Sequence, residues 1–184
     1  MGQYRDALTA ARSAKEIDPL SPMSGFTIAW VHFWGHRFED AIAEARKVLE
    51  LEPNYVAAWR VLGWAYEEEG KATAAIEAHL EAASLSKDSP GFAGQLGRAY
   101  ALADRTDEAR EVLAGLEQRA GSVSSLDIAI VHAALGQKDQ AFTWLTRACD
   151  EHAEHVPYLK VNPRVDSLRS DARFDDVLRR LKLA

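Results

Sequence analysis

Two histidines four residues apart, His32 and His36, are the first residues to invite a chemical reading. On a helix that spacing puts two imidazoles on one face, as in helical zinc pairs. His152 and His155 form a second pair, flanked by Glu151 and Glu154. Glu67 to Glu69 supply a run of carboxylates, and Cys149 is the one cysteine. Each has a simpler reading. His32 falls in a recurrent apolar position and His36 in a turn, so that pair reads as structural. His152 and His155 read as a solvated polar helix end, with a weak metal site as the alternative. Glu67 to Glu69 close a helix and read as a solvated face. Cys149 has no recognisable base near it and reads as a small buried hydrophobe. "LGQKDQ" and the other glycines fit no phosphate-cradling loop. The expectation is a chain with no catalytic residues, no metal and no cofactor.

Composition narrows the partner classes. The chain has 184 residues, enough to bury a sizeable core. A formal net charge of −6 argues against nucleic acid, whose binders are normally basic. No apolar run reaches the roughly 18 residues of a membrane span. Gln3, Tyr4, Arg5 and Asp6 give no signal-peptide pattern, and one cysteine cannot form an internal disulfide. A reducing, cytoplasmic setting is expected.

Self-comparison shows what must position these residues. "YRDALTAARSAKEIDP" recurs as "FEDAIAEARKVLELEP", with Pro19 and Pro53 34 residues apart. Ala7, Ala41, Ala75 and Ala109 keep that spacing, and Leu62, Gly63 and Tyr66 return as Leu96, Gly97 and Tyr100. "LDIAIVHAALGQKDQAFTWLTRA" repeats the shape two residues early, after the loop "RAGSVSS". Helices are expected at 3–17, 22–34, 38–51, 56–69, 72–85, 91–103, 106–119, 124–135 and 138–153. Ser21-Pro22 and Ser89-Pro90 read as an N-cap serine before a first-turn proline. Gly70 and Gly136 read as helix-ending turns. Gly121 reads as a tolerant loop glycine.

The pattern resembles the tetratricopeptide repeat, a helix–turn–helix unit of 34 residues. The best copy is Trp59, Leu62, Gly63, Tyr66, Gly70, Ala75 and Ala82. His32 and His132 stand where an aromatic is usual, Val48 replaces an alanine, and Lys87 replaces a proline. The resemblance implies an all-α fold, a right-handed superhelix (α-solenoid) of antiparallel helix pairs. It spans 1–153, as a partial repeat 2–19 and repeats at about 22–53, 56–87, 90–120 and 123–153. Gly63 and Ala75 should lie where the two helices of a pair cross closely.

The ends carry their own signals. The chain starts inside a repeat, so Ala7, Leu8, Ala11 and Ala14 are expected to lack a partner on one side. Either an upstream segment or another chain, through self-association, would cover that edge. Residues 154–184 read as a capping segment: Asn162-Pro163 marks a turn, and Asp171 caps a helix with Phe174, Val177, Leu178 and Leu181 on one face. That tail resembles the ends of repeat arrays in bacterial multidomain signalling proteins. The matching residues are Tyr158 to Val161, Pro163-Arg164, Asp166, Leu168 to Asp171, Arg173-Phe174 and Leu178.

One constellation remains. At about 100° per residue, Ile28, Ala29 and His32 share one side of the 22–34 helix. Phe26, Trp30, Phe33 and Trp34 cluster roughly opposite. The resemblance implies that this second face lines a concave groove, continued by Arg60 and Trp64, by Gln95 and Arg98, and by Asp127 and Ile130. Phe26, Trp30, Phe33, Trp34, Arg60, Trp64 and Arg98 are therefore the candidate contacts for a protein or peptide segment with apolar anchors. Two readings stay open: a peptide groove, or aromatics covered by an upstream helix or by closure of the array. The function expected is a non-catalytic binding scaffold, as the arm of a bacterial signalling system. The alternative is a fragment of a signalling enzyme or transcription regulator whose effector domain lies upstream.

Overall fold

The computed structural model describes residues 2–86 and 90–183. Lys87 and Ser89 lie outside the described residues. Two compact units emerge, Met1–Asp88 and Ser89–Ala184. The first holds α1 (Gly2–Ile17), α2 (Pro22–Trp34), α3 (Phe38–Leu51), α4 (Val56–Glu68) and α5 (Ala72–Leu85). Each helix packs on the next, and α2 also touches α4. The second holds α6 (Ala93–Leu102), α7 (Thr106–Gln118), α8 (Ser125–Ala134), α9 (Lys138–Asp150) and α10 (Ala172–Arg180). A 3₁₀ turn, Pro90–Phe92, precedes α6, so the helix expected from 91 starts two residues late. Two more 3₁₀ segments, Val156–Val161 and Pro163–Leu168, lead into α10. Among the described residues there is no strand, only an isolated bridge between Ala120 and Val123.

The turns inside the helix pairs share one device. Positions 36, 70, 104 and 136 all take a left-handed backbone, at φ 57°, 69°, 58° and 74°. After each, an amide reaches back across the turn to the helix: Arg37 to His32, Lys71 to Tyr66, Arg105 to Tyr100 and Gln137 to His132, all at 2.9 Å. This bond satisfies an orphan carbonyl at the helix end. Gly70 and Gly136 suit the conformation; His36 and Asp104 adopt it despite a Cβ. His152, at φ 52°, repeats the device at the end of α9, where Ala153 N–H donates to Ala148 O at 3.0 Å.

Close crossings set the packing. A Cβ built on Gly63 would lie 2.3 Å from His79 Cε1, and one on Gly97 would lie 3.0 Å from Val112 Cγ1. Ala29 and Ala129 hold the equivalent places with no exposure. Opposite them, Ala41, Ala45, Ala75, Ala82, Ala109 and Ala141 are also fully buried. Val48, large where an alanine is usual, is matched by Gly25, whose added Cβ would meet Val48 Cγ2 at 2.6 Å.

The two ends follow different rules. α1 packs on α2, where Tyr4 covers Gly35 and Ala11 is buried, contrary to the expectation that it lacks a partner; Lys15 adds a 3.2 Å ion pair to Glu44 of α3. Ala7 and Ala14 are exposed, whereas Ala41 and Val48, 34 residues on, are buried. At the other end Phe174, Val177 and Leu178 of α10 are buried in the core of the second unit. Asp171 caps α10 by accepting from Arg173 N–H at 3.0 Å. Ser21 holds the N-cap position of α2, but its side chain makes no capping bond; Pro22 occupies the first turn as expected.

These contacts are open to test. Gly63→Ala forces a Cβ into the His79 ring and is expected to cost about 1–3 kcal/mol in a thermal or denaturant melt. Gly115→Ala is the control, because only Arg119 Nη2 approaches its added Cβ, at 4.0 Å. It should gain up to about 1 kcal/mol from helix propensity. Gly121 cannot serve, since its φ of +101° strains any side chain and overturns the reading of a tolerant position. Equal losses at 63 and 115 would contradict the crossing. Hydrogen exchange should also be faster over 3–17 than over 38–51, because α1 is packed on one side only; equal protection would contradict that.

Candidate functional site

The aromatic residues converge within the first unit. Along α2, Phe26 and Trp30 lie 5.7 Å apart between ring centroids, and Trp30 and Trp34 5.4 Å. Trp64 of α4 sits 5.8 Å from Trp30 and 5.5 Å from Phe33. Tyr55 extends the cluster, 5.9 Å from Phe26, and its hydroxyl donates to Met23 Sδ at 3.6 Å. The Arg60 guanidinium lies over both indoles, 5.9 Å from Trp30 and 5.4 Å from Trp64. Such tilted ring pairs and cation–π contacts hold one another in fixed orientations.

Burial divides the set that the sequence singles out. Phe26, Trp30, Trp34 and Arg60 are half-buried. Phe33, at 0% exposure, and Trp64, at 2%, lie in the interior beneath them. The helical wheel places Phe33 at the edge of the apolar arc, where it turns toward Trp64 and Phe38 instead of outward. Trp64 is covered by Trp30, Trp34 and Arg60. Arg98 belongs to the second unit and is 7% exposed, with Gln95 equally buried and Ile130 at 2%. Asp127 is half-buried and packs so closely on α6 that a Cβ on Gly94 would meet its Cβ at 2.6 Å. The open aromatic face is thus a property of the first unit.

A separate cleft of about 610 Å³ opens elsewhere in that unit, lined by Arg46, Leu49, Trp59, Leu62, Tyr66 and Ala78 among others. Arg46 spans it, donating to Tyr66 Oη at 2.6 Å. None of the aromatic-face residues lines it.

The candidate chemistry of the histidines and acids resolves differently from case to case. His32 turns inward: Tyr4 Oη lies 3.0 Å from its Nδ1, and burial lowers its pKa despite Asp40 and Glu44 nearby. His36 is exposed in the turn, so the two imidazoles do not share a face. His152 contacts Asp150 O at 3.1 Å and His155 contacts Glu154 at 3.5 Å. Burial raises the Cys149 thiol pKa. Among the described residues, no three His, Cys, Asp or Glu side chains group as a metal site requires. Glu67 is a correction to the solvated reading. Its side chain has no exposure and its Oε1 lies 3.1 Å from Nε2 of His79, itself fully buried. The sequence signal was available: Glu67 follows Gly63 by four residues, on the face of α4 that the crossing buries.

Residues 26–91 match the tetratricopeptide repeat family. A tetratricopeptide repeat protein of Thermus thermophilus superposes over 97% of this chain and 92% of its own, with a TM-score of 0.66 and 20% identity. MamA covers 82% and 90%, with a TM-score of 0.59 and 20% identity. In the Cut9–Hcn1 heterotetramer of APC/C the matched chain superposes on all of this one but only 37% of itself, with a TM-score of 0.68 and 15% identity. No curated protein matches the sequence at a significant level. The fold is therefore the all-α solenoid of tetratricopeptide helix pairs. No helix among the described residues is long and apolar enough to cross a membrane.

His32 gives a pH test. Its pKa is depressed in the folded chain, so the unfolded chain takes up the proton first, near pH 6.5. Stability should fall as pH drops through about 6.5, and His32→Gln should flatten that fall. An unchanged slope in thermal melts between neutral and mildly acidic pH would contradict the assignment.

Proposed function

We propose that the chain is a non-catalytic scaffold that binds a protein or peptide segment through the aromatic face of α2 and α4. The observation that carries this reading is α2 itself. "PMSGFTIAWVHFW" contains no Asp, Glu, Lys or Arg. One side buries Ile28, Ala29 and His32, while Met23, Phe26, Trp30 and Trp34 line the other. A helix apolar on two faces is one that has cover on two faces. Exposed apolar patches of this kind mark interaction sites.

The proposed contacts are Phe26, Trp30, Trp34 and Arg60, supported from beneath by Phe33 and Trp64. Arg98 is left out because of its burial. The resemblance of residues 158–178 to the tails of signalling-protein arrays supports a place in a bacterial signalling system, in the cytoplasm. The absence of charge on α2 supports apolar anchors in the partner.

Trp30→Ala is expected to weaken capture of the partner by about 2 kcal/mol, as truncating an aromatic hot spot does. Leu62→Ala, at 4% exposure, should instead cost stability, about 2–5 kcal/mol. The check is affinity capture from the native host with the wild-type chain and both variants, beside their melting curves. Identical capture by wild type and Trp30→Ala would refute the reading.

A further inference from the structure

The cleft of about 610 Å³ in the first unit takes one face from each of three helices. Arg46 and Glu50 come from α3, Trp59, Leu62 and Tyr66 from α4, and Glu77 from α5, at spacings that share a helical face. Ala74 and Ala78 of α5 also line it, and their small side chains leave it open. α4 supplies the apolar floor, with Leu62 at 4% exposure and Trp59 half-buried. The Trp59 indole N–H donates to Pro53 O at 2.8 Å, which fixes the ring.

The charges around this floor are unevenly used. Arg46 lies four residues before Glu50, a spacing that permits an ion pair. Its Nε and Nη2 donate instead to Tyr66 Oη, at 3.1 and 2.6 Å, and its guanidinium sits 5.7 Å from the centroid of the Tyr66 ring. Glu50 and Glu77 are exposed, and neither is ion-paired among the described residues. The cleft thus combines two carboxylates, one cation bonded to a neutral oxygen, and an apolar floor that includes an indole.

That combination selects a cation on an apolar stem. Lys and Arg lay their methylenes along apolar surface while the charged head meets an anion or an aromatic face. Arg46 already packs in this way on an aromatic ring of the cleft. An acidic segment would face two like charges. A small free cation would not be enclosed, because ligand pockets bury about 70–90% of their occupant and exposed Arg46, Glu50 and Glu77 rim this one. Independently of the α2 reading, we propose that the cleft between α3 and α5 docks a segment of another protein carrying a Lys or Arg beside an apolar residue. The basic head lies between Glu50 and Glu77, and the apolar neighbour lies on Leu62 and Trp59.

The test selects a displayed library of random 12-residue peptides on the full chain, with counter-selection on Glu50→Gln/Glu77→Gln. Both substitutions fall on exposed positions, and a melting curve verifies that the variant is folded. Peptides lost on it should carry Lys or Arg next to an apolar residue. The variant should bind them about tenfold or more weakly. Replacing their basic residue by norleucine, which keeps the stem, should do the same. Glu39→Gln/Glu81→Gln, at exposed carboxylates outside the cleft, should leave binding unchanged. In proton–nitrogen NMR spectra the Trp59 indole signal should move on binding while that of Trp30 stays. Equal loss on the Glu39/Glu81 variant would reveal a diffuse charge effect and overturn the site. Lost peptides rich in Asp or Glu and sensitive to Arg46→Gln would overturn the sign of the partner. Agmatine, a guanidinium on an alkyl stem, moving the Trp59 signal as tightly as the peptides do would overturn the protein segment in favour of a small cation. Self-association abolished both by Glu50→Gln/Glu77→Gln and by Lys160→Gln would overturn it in favour of a second copy, whose exposed Lys160 stands beside exposed Tyr158 and Val161. If no selected peptide depends on Glu50 and Glu77, the proposal fails, whatever the outcome of Trp30-dependent capture on α2.

Discussion

At Gly63 the backbone of α4 lies against the imidazole of His79, with no room for even a methyl group between them. The same slot is filled by Ala29, Gly97 and Ala129 in the other pairs, and alanines face it from the second helix each time. A glycine within a helix costs about 1 kcal/mol of propensity relative to alanine. That cost is offset because a close crossing lets large side chains on both flanks reach a common core. Val48 against Gly25 shows that the constraint applies to the sum of the two side chains: when one grows, the other vanishes.

The aromatic face follows from this constraint. Since Ala29 and its neighbours occupy the crossing side of α2, its bulky residues must go elsewhere. Phe33 and Trp64 fill the space between α2 and α4, and they tilt Trp30, Phe26 and Arg60 outward into a fixed arrangement. Core and candidate binding surface are continuous here. Rigidity of this kind reduces the ordering cost of binding.

Much of the fold could be read from residues alone. The 34-residue spacing located the helix pairs, Gly70 and Gly136 located two of the turns, and Asp171 located the start of α10. What escaped did so for identifiable reasons. His36 and Asp104 take a left-handed backbone with no glycine to announce it, because the amide bond back across the turn fixes the conformation. Glu67 and His79 lie twelve residues apart and meet only through the crossing, so nothing local reveals the pair. Phe33 on α2 and Trp64 on α4 each lie beside half-buried neighbours, and a wheel cannot say how deep each sits. Depth depends on α2 touching α4, which is tertiary information.

On one face of α2 Met23 is exposed and Phe26, Trp30 and Trp34 are half-buried, while Phe33 and Trp64 beneath them are closed. The direct measurement of that difference is fluorine NMR of the chain labelled with 5-fluorotryptophan, titrated with a soluble paramagnetic agent. The Trp30 resonance should be strongly relaxed and that of Trp64 should barely change. Equal protection of Trp30 and Trp64 in a demonstrated monomer would mean that the face is already covered, and would contradict an open binding surface on α2.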